Sequence, residues 1–417
     1  MNGVFTWFLT RLIKSGSVDV RFADGSSRKF GDGTGPHVTV AIKDKAAERA
    51  LMLHPTLALG ELYMDGRLEV LEGDVYDLLA TASHNFDRGH APAFVHALQQ
   101  ARAALRRFTP FNDRRRARAN VHHHYDLDER LYALFLDADL QYSCAYFDHP
   151  GQTLDGAQLA KKRHIVSKLL VEPGQRVLDI GCGFGGMALY LARVAGAKVT
   201  GVTLSDAQYA VARRRVAEAG VADRVDVRLQ DYRDVNETFD RIVSVGMFEH
   251  VGLAGFDEFF RRCKKILADD GLMLLHAIGR SEPPAPTNPW IEKYIFPGGY
   301  IPPVSEVSAS VERVGLLATD IEILRLHYAD TLKAWRDRFM ARRAEAKAMY
   351  DERFCRMWEF YLAGSECSFR VSGNMVYQFQ LAKRQDVVPT TRDYVGERER
   401  ALRDREIGVI GRRVAAE

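Results

Sequence analysis

Apolar and polar positions change their period along the chain. Val18–Phe22 (VDVRF) and Val38–Ile42 (VTVAI) alternate, as half-buried strands do, and the turn Asp24-Gly25 before Ser27–Phe30 predicts a hairpin. Helical patterns follow at Ala46–Leu53, Leu57–Met64 and Val75–Ala82, so residues 1–100 read as a small α+β domain. From residue 126 the pattern switches. Short apolar, β-branched runs at Val177–Ile180, Lys198–Val202, Val225–Leu229, Arg241–Val245 and Leu272–Ala277 alternate with helical stretches at Met187–Ala195, Ser205–Ala219 and Phe256–Leu267. Strand–helix alternation predicts a doubly wound parallel α/β sheet, which takes its ligands at the carboxyl ends of the strands. Residues 281–304 break this rhythm. Seven prolines fall between 283 and 303, interleaved with Trp290, Tyr294, Phe296 and Tyr300, and such a long aromatic loop predicts a lid. A helical insert follows at 329–369, and the tail from Arg398 reads as a loose helix. The expected organisation is therefore 1–100, a linker 101–125, and a catalytic domain 126–417.

Composition narrows the class. The chain has 417 residues, 47% of them hydrophobic and 27% charged, with a net charge of +3, which suits a globular protein of two or three domains. No apolar run reaches the roughly 18–20 residues of a bilayer span; Gly271–Gly279, for example, is interrupted by His276. Met1–Ser15 lacks the basic start and small-residue cleavage site of a signal peptide and reads as an amphipathic helix. Five cysteines without a CxxC pair argue against a disulfide framework and a structural zinc site, and the chain reads as cytoplasmic. Residues 101–118 hold seven Arg against one Asp, a charge asymmetry suited either to solvent or to an anionic surface. No nucleic-acid-binding motif accompanies it. His122–His124 follow directly, but three adjacent imidazoles diverge, and no metal site is expected.

The strongest local signal is Val177–Gly186, VLDIGCGFGG. An apolar strand ends in Asp179, and a glycine-rich turn then opens a helix, so the main chain can approach a nucleotide closely. Gly181, Gly183 and Gly186 satisfy G-x-G-x-x-G, yet a dinucleotide enzyme calls for an acid at the end of the next strand. Here that strand runs into Thr203-Leu204-Ser205, and Asp206 already belongs to the following helix. Asp179 two residues before the first glycine instead suits the Asp-x-Gly-x-Gly turn of methyltransferases that use S-adenosylmethionine.

Six ordered stretches carry a wider resemblance: Gln141–Phe147 (QYSCAYF), Val177–Gly186, Val202–Gln208 (VTLSDAQ), Phe239–Gly252 (FDRIVSVGMFEHVG), Leu275–Gly279 (LHAIG) and His327–Trp335 (HYADTLKAW). Through them the catalytic half resembles the cyclopropane-fatty-acyl-phospholipid synthases, including the mycolic-acid cyclopropane synthases, in the long bacterial form that has an N-terminal domain. The resemblance implies a class I, Rossmann-like methyltransferase fold. It implies that Tyr142, Ser143, Asp179, Gly181, Gly183, Thr203, Leu204, Gln208, Asp231 and Tyr232 contact S-adenosylmethionine. It further implies a bicarbonate ion held by Cys144, Glu249, His276, Ile278 and Tyr328, with Cys144 and Ile278 acting through backbone groups. Phe147 and Phe184 stand where many relatives have Trp, and both keep an aromatic face.

The chemistry makes the same demands. An alkene that attacks a sulfonium methyl becomes a carbocation, which must shed a proton from the transferred carbon before water captures it. The site therefore needs a small base in a dry pocket, with aromatic faces to stabilise passing positive charge. The implied substrate is an unsaturated phospholipid acyl chain, reached by peripheral contact with the membrane's inner face through the N-terminal domain and the Arg-rich run. The rival outcomes are a methyl- or methylene-branching transferase of the same family, a small-molecule methyltransferase, a non-enzymatic lipid-binding protein and an NAD oxidoreductase. Head group, double-bond position and oligomeric state stay open, a homodimer included.

Overall fold

Residues 2–86 and 128–409 are described by the computed structural model. The Arg-rich run 101–118 and His122–His124 lie outside the described residues. By internal contacts the described chain divides into two compact units, one of 2–86, 284–297 and 332–374, the other of 128–283, 298–331 and 375–409.

The first unit contains a four-stranded sheet, β1 (Ser17–Arg21), β2 (Ser27–Phe30), β3 (His37–Ile42) and β4 (Leu68–Glu72), in the order β2-β1-β3-β4. The expected hairpin is present: β1 and β2 pair antiparallel, and Gly25 takes φ +85° in the turn between them. Asp44 and Asp74 each cap a helix, accepting from the main-chain N–H of Ala47 and Asp77. Sequence reading assigns 281–304 and 329–369 to the catalytic part, whereas 284–297 and 332–374 pack with the N-terminal residues. The physical reason is a close approach at Gly60, where an added Cβ would lie 2.4 Å from Trp290 Nε1. Trp290 fills that space, donates to Met64 Sδ and packs 4.7 Å from the Phe360 ring. Residues 281–304 include the short helix Pro289–Tyr294, and the helical insert is three helices, His327–Ala341, Arg343–Met349 and Glu352–Arg370.

The second unit contains the seven-stranded sheet. Its strands are β5 (Arg176–Ile180), β6 (Lys198–Thr203), β7 (Val225–Leu229), β8 (Phe239–Val245), β9 (Leu267–Arg280), β10 (Leu317–Ile323) and β11 (Asn374–Ala382). Their order is β10-β11-β9-β8-β5-β6-β7. β5 pairs parallel with β6 and β8, β6 with β7, and β8 with β9, while β10 and β11 are antiparallel. Alternate residues serve opposite faces. Val177, Val243, Leu272 and Leu274 pack with helices Leu154–Lys168, Gly186–Arg193 and Asp206–Glu218, whereas Leu178, Ile180, Ile242, Met273 and Leu275 pack with Phe256–Ile266 and Val304–Val314. The order reverses at β5, so the ends of β5, β6 and β8 open on one crevice.

Helix Leu154–Lys168 departs from its sequence. Its run of Lys161, Lys162, Arg163 and His164 suggests a solvated face, yet all four are buried. Each cation meets a specific partner. Arg163 pairs with Glu406, His164 with Glu322 and Glu399, Lys162 with Asp139, and Lys168 with Glu322. All five cysteines are buried and unbridged.

Candidate active site

The crevice at the strand ends is a single cavity, and all ten residues expected around S-adenosylmethionine line it: Tyr142, Ser143, Asp179, Gly181, Gly183, Thr203, Leu204, Gln208, Asp231 and Tyr232. Each is placed by its strand or turn. Gly181 and Gly183 adopt φ +80° and +53°, a left-handed region open to glycine. At Gly181 an added Cβ would lie 2.8 Å from Met247 Cβ, so the turn presents bare backbone to the cavity. Thr203 Oγ1 donates to Gln208 Oε1 at 3.1 Å, and Ser205 caps the helix that carries Gln208. Asp231 accepts from the Arg233 guanidinium at 2.9 and 2.6 Å and from the Arg233 main-chain N–H at 2.9 Å. Tyr142 stands edge-on to Tyr132, which also packs with Phe135 and Phe184, so an aromatic cluster closes one side.

Asp179 tests whether a cationic cofactor fits. Its carboxylate is buried, Oδ2 has no hydrogen-bond partner, and burial pushes its pKa up to about 7. A buried acceptor with nothing to accept from suits a ligand that brings donors or positive charge. The methionine end of S-adenosylmethionine has both.

The five residues implied for bicarbonate are not among those that line this cavity. The stretch that contains Cys144 is clamped to the start of helix His327–Ala341. Ala145 N donates to Thr331 Oγ1, and Phe147 N donates to His327 Nδ1, both at 3.0 Å, which sets Cys144 beside the turn bearing Tyr328. Glu249 follows β8, and its Oε1 accepts from Ile278 N at 2.6 Å. The resemblance gives a backbone group of Ile278 to the ion; its N–H is the group that meets Glu249 here, which leaves its carbonyl for that role. His276 and Ile278 alternate along β9 and so share a face. Burial raises Glu249 to about 7 and pushes His276 well below its usual value, so its imidazole is neutral. Glu249 Oε2, His276 Nε2 and the Tyr377 hydroxyl are all buried without a partner. One carboxylate acceptor with imidazole and phenol donors fits a small oxyanion that also has a hydroxyl proton to give.

Three residues escaped sequence reading. Tyr377 and Gln378 come from β11, a strand whose apolar run showed no chemistry. The Glu249 charge raises the Tyr377 pKa, after burial itself, and Gln378 contacts His276 Nδ1 at 3.2 Å. Lys161 donates to Gln141 Oε1 and Ser143 Oγ, each at 2.8 Å, and burial lowers its pKa to about 8. Its one signal in the sequence is its place in the basic run Lys161–His164. Among the described residues no three His, Cys, Asp or Glu side chains cluster in a way that could hold a metal.

The strand order, the glycine turn after β5 and the cavity above it define a class I, Rossmann-like S-adenosylmethionine-dependent methyltransferase. Comparison narrows the class. The profile of the mycolic acid cyclopropane synthetase family matches residues 112–379, and a domain of unknown function matches residues 5–89. The cyclopropane-fatty-acyl-phospholipid synthase of Escherichia coli K12 is 38% identical over 343 residues, covering 81% of this chain and 86% of the relative. A probable fatty acid methyltransferase of Pseudomonas putida is 36% identical, covering 85% of this chain and 89% of the relative. Among solved structures, a cyclopropane synthase of Mycobacterium tuberculosis superimposes with a TM-score of 0.61 at 36% identity, over 64% of this chain and 98% of that one. The chain belongs to the mycolic acid cyclopropane synthetase family of S-adenosylmethionine-dependent methyltransferases.

Proposed function

We propose that the protein adds a methylene group from S-adenosylmethionine across the cis double bond of an unsaturated phospholipid acyl chain, giving a cyclopropane fatty acid. The observation that carries this reading is the buried Glu249 carboxylate, left with Oε2 unpaired and tied by its other oxygen to Ile278, two residues along β9 from the neutral His276. S-adenosylmethionine supplies an electrophilic methyl group when bound, and bicarbonate supplies a compact base. The chain's own residues do the rest. Tyr142, Ser143, Asp179, Gly181, Gly183, Thr203, Leu204, Gln208, Asp231 and Tyr232 hold the methyl donor. Cys144, Glu249, His276, Ile278 and Tyr328 hold the base, with Glu249 accepting its hydroxyl proton and His276 and Tyr328 donating to its oxygens. Apolar walls keep water from the developing cation.

The test is lipid analysis of a bacterial host that has cis-unsaturated phospholipids but no such enzyme. Expression of this chain is expected to yield acyl chains heavier by one CH2 and bearing a ring, and Glu249→Gln to suppress them. A branched chain of the same mass would favour the second reading, methyl transfer without ring closure, which the similarity to a probable fatty acid methyltransferase supports. No new lipid from folded protein would overturn both.

The substrate implies peripheral contact with a membrane. No helix among the described residues is long and apolar enough to cross one. The N-terminal domain and the segment 101–118 dock the bilayer, with the seven arginines of that segment supplying the charge. Liposome binding that loses its salt sensitivity when those arginines are neutralised supports this role, and unchanged binding refutes it.

A further inference from the structure

Gln378 is fully buried on β11, next to β9 in the sheet, and its amide nitrogen lies 3.2 Å from His276 Nδ1. An amide nitrogen can only donate, so in this orientation of the amide, which leaves Gln378 Oε1 buried without a partner, Nδ1 accepts. His276 is itself buried, and the nearby ammonium groups of Lys161 and Lys168 add to burial in keeping its ring neutral. A neutral imidazole carries one proton, and the bond at one nitrogen decides where that proton sits. With Nδ1 occupied as an acceptor, the proton belongs on Nε2, the nitrogen left without a partner. An orphaned buried N–H is costly unless a ligand accepts from it.

We propose that Gln378 is a positioning residue that holds His276 in its Nε2-protonated form, aiming that N–H as a donor at the oxyanion base. The proposal rests on the reading of His276 as a holder of that base. Both residues sit on adjacent strands of one sheet, a rigid support for a fixed donor. Gln378 touches neither substrate nor cofactor in this scheme; it acts through His276.

The test uses the full chain with isotopically labelled histidine. Nuclear magnetic resonance reads the two ring nitrogens of His276, assigned by their loss in His276→Asn. The wild type is expected to show a protonated Nε2 and a bare Nδ1. In Gln378→Glu the carboxylate accepts, so Nδ1 gains the proton. In Gln378→Met, which keeps the volume without a donor, both forms are populated. In parallel, the bicarbonate concentration for half-maximal activity is expected to rise roughly tenfold or more in Gln378→Glu, as for other residues that orient a ligand-holding histidine. The KM for S-adenosylmethionine stays within about twofold, a split that a general loss of structure would not give. A wild-type His276 protonated at Nδ1, or a tautomer indifferent to both substitutions, overturns the proposal. Wild-type activity independent of bicarbonate, with the tautomers as described, overturns the base reading and supports the orientation by Gln378.

Discussion

The main-chain N–H of Ile278 donates to Glu249 Oε1 at 2.6 Å, joining a turn after β8 to the carboxyl end of β9. A second main-chain bond, from Tyr300 N to the Glu249 carbonyl at 2.9 Å, fixes the same residue from another side. The carboxylate thus has one oxygen anchored and one to offer. Its pKa of about 7 reflects burial opposed by the Ile278 bond.

Glu249→Gln preserves shape and the bond from Ile278 but replaces the free oxygen by an NH2 donor. Product formation is expected to fall by about 10²–10⁴, the range for losing a group that acts in proton transfer. S-adenosylmethionine binding, measured by titration calorimetry, should change less than threefold, because Glu249 does not line the cofactor cavity. Equal losses in binding and turnover would place Glu249 in the cofactor site instead.

Asp179 has a usual pKa of 3.8 and sits at about 7 in the folded chain, through burial. Between those values the folded chain holds a proton that the unfolded chain has lost. The stability this gives is complete below about pH 4 and is lost as pH rises through about 7. Asp179→Asn removes the dependence. The melting temperature of the variant relative to wild type, without ligand, should therefore rise between pH 5 and pH 8. A cationic ligand beside Asp179 favours its ionised form, so cofactor binding near pH 6 should release a proton. Calorimetry in two buffers of different ionisation heat reads this directly, and identical heats would count against the assignment.

Two glycines of one turn should differ in cost. Gly181→Ala places a methyl group 2.8 Å from Met247 Cβ at φ +80°, whereas Gly183→Ala at φ +53° meets nothing within 4 Å. The second substitution is expected to cost only the left-handed penalty, about 1 kcal/mol. The first adds a clash and should cost about 2–3 kcal/mol, with cofactor affinity down tenfold or more. Thermal unfolding and calorimetry on the pair check the order.

The parallel sheet was legible because its central strands are short, apolar and bounded by helices. Val225–Leu229 begins and ends where the sequence pattern places it, and the N-terminal hairpin follows from Asp24-Gly25. β4, β10 and β11 were not. Leu317–Ile323 and Asn374–Ala382 are far apart in sequence and pair antiparallel, so no local turn announces them. Tyr377 and Gln378 were invisible for the same reason, since an apolar strand discloses its polar members only once its neighbour is known. The cavity at the strand ends was legible through glycine and acid spacing at Asp179–Gly183, which line it. Lys161 was not, because four consecutive basic residues look solvated until their partners, Glu406 among them, arrive from distant parts of the chain.

Those partners carry the last prediction. Arg163 donates to both oxygens of Glu406, at 3.0 and 2.7 Å, and the Tyr190 hydroxyl donates to the same carboxylate at 2.5 Å. Glu406 is wholly buried, so the pair joins helix Asp393–Val409 to helix Leu154–Lys168 without water to screen it. Glu406→Gln leaves the guanidinium with Asp148, 3.7 Å away, as its remaining counter-charge. It should cost about 3 kcal/mol in denaturant unfolding, the lower end for breaking a buried pair. Adding Arg163→Met removes the stranded charge, while the new glutamine still accepts from Tyr190. The double variant should therefore be more stable than Glu406→Gln alone, a sign that simple loss of packing would not give. The same helix presents Lys161 to Ser143, so the single variant should also weaken cofactor binding, and the double variant should recover part of it.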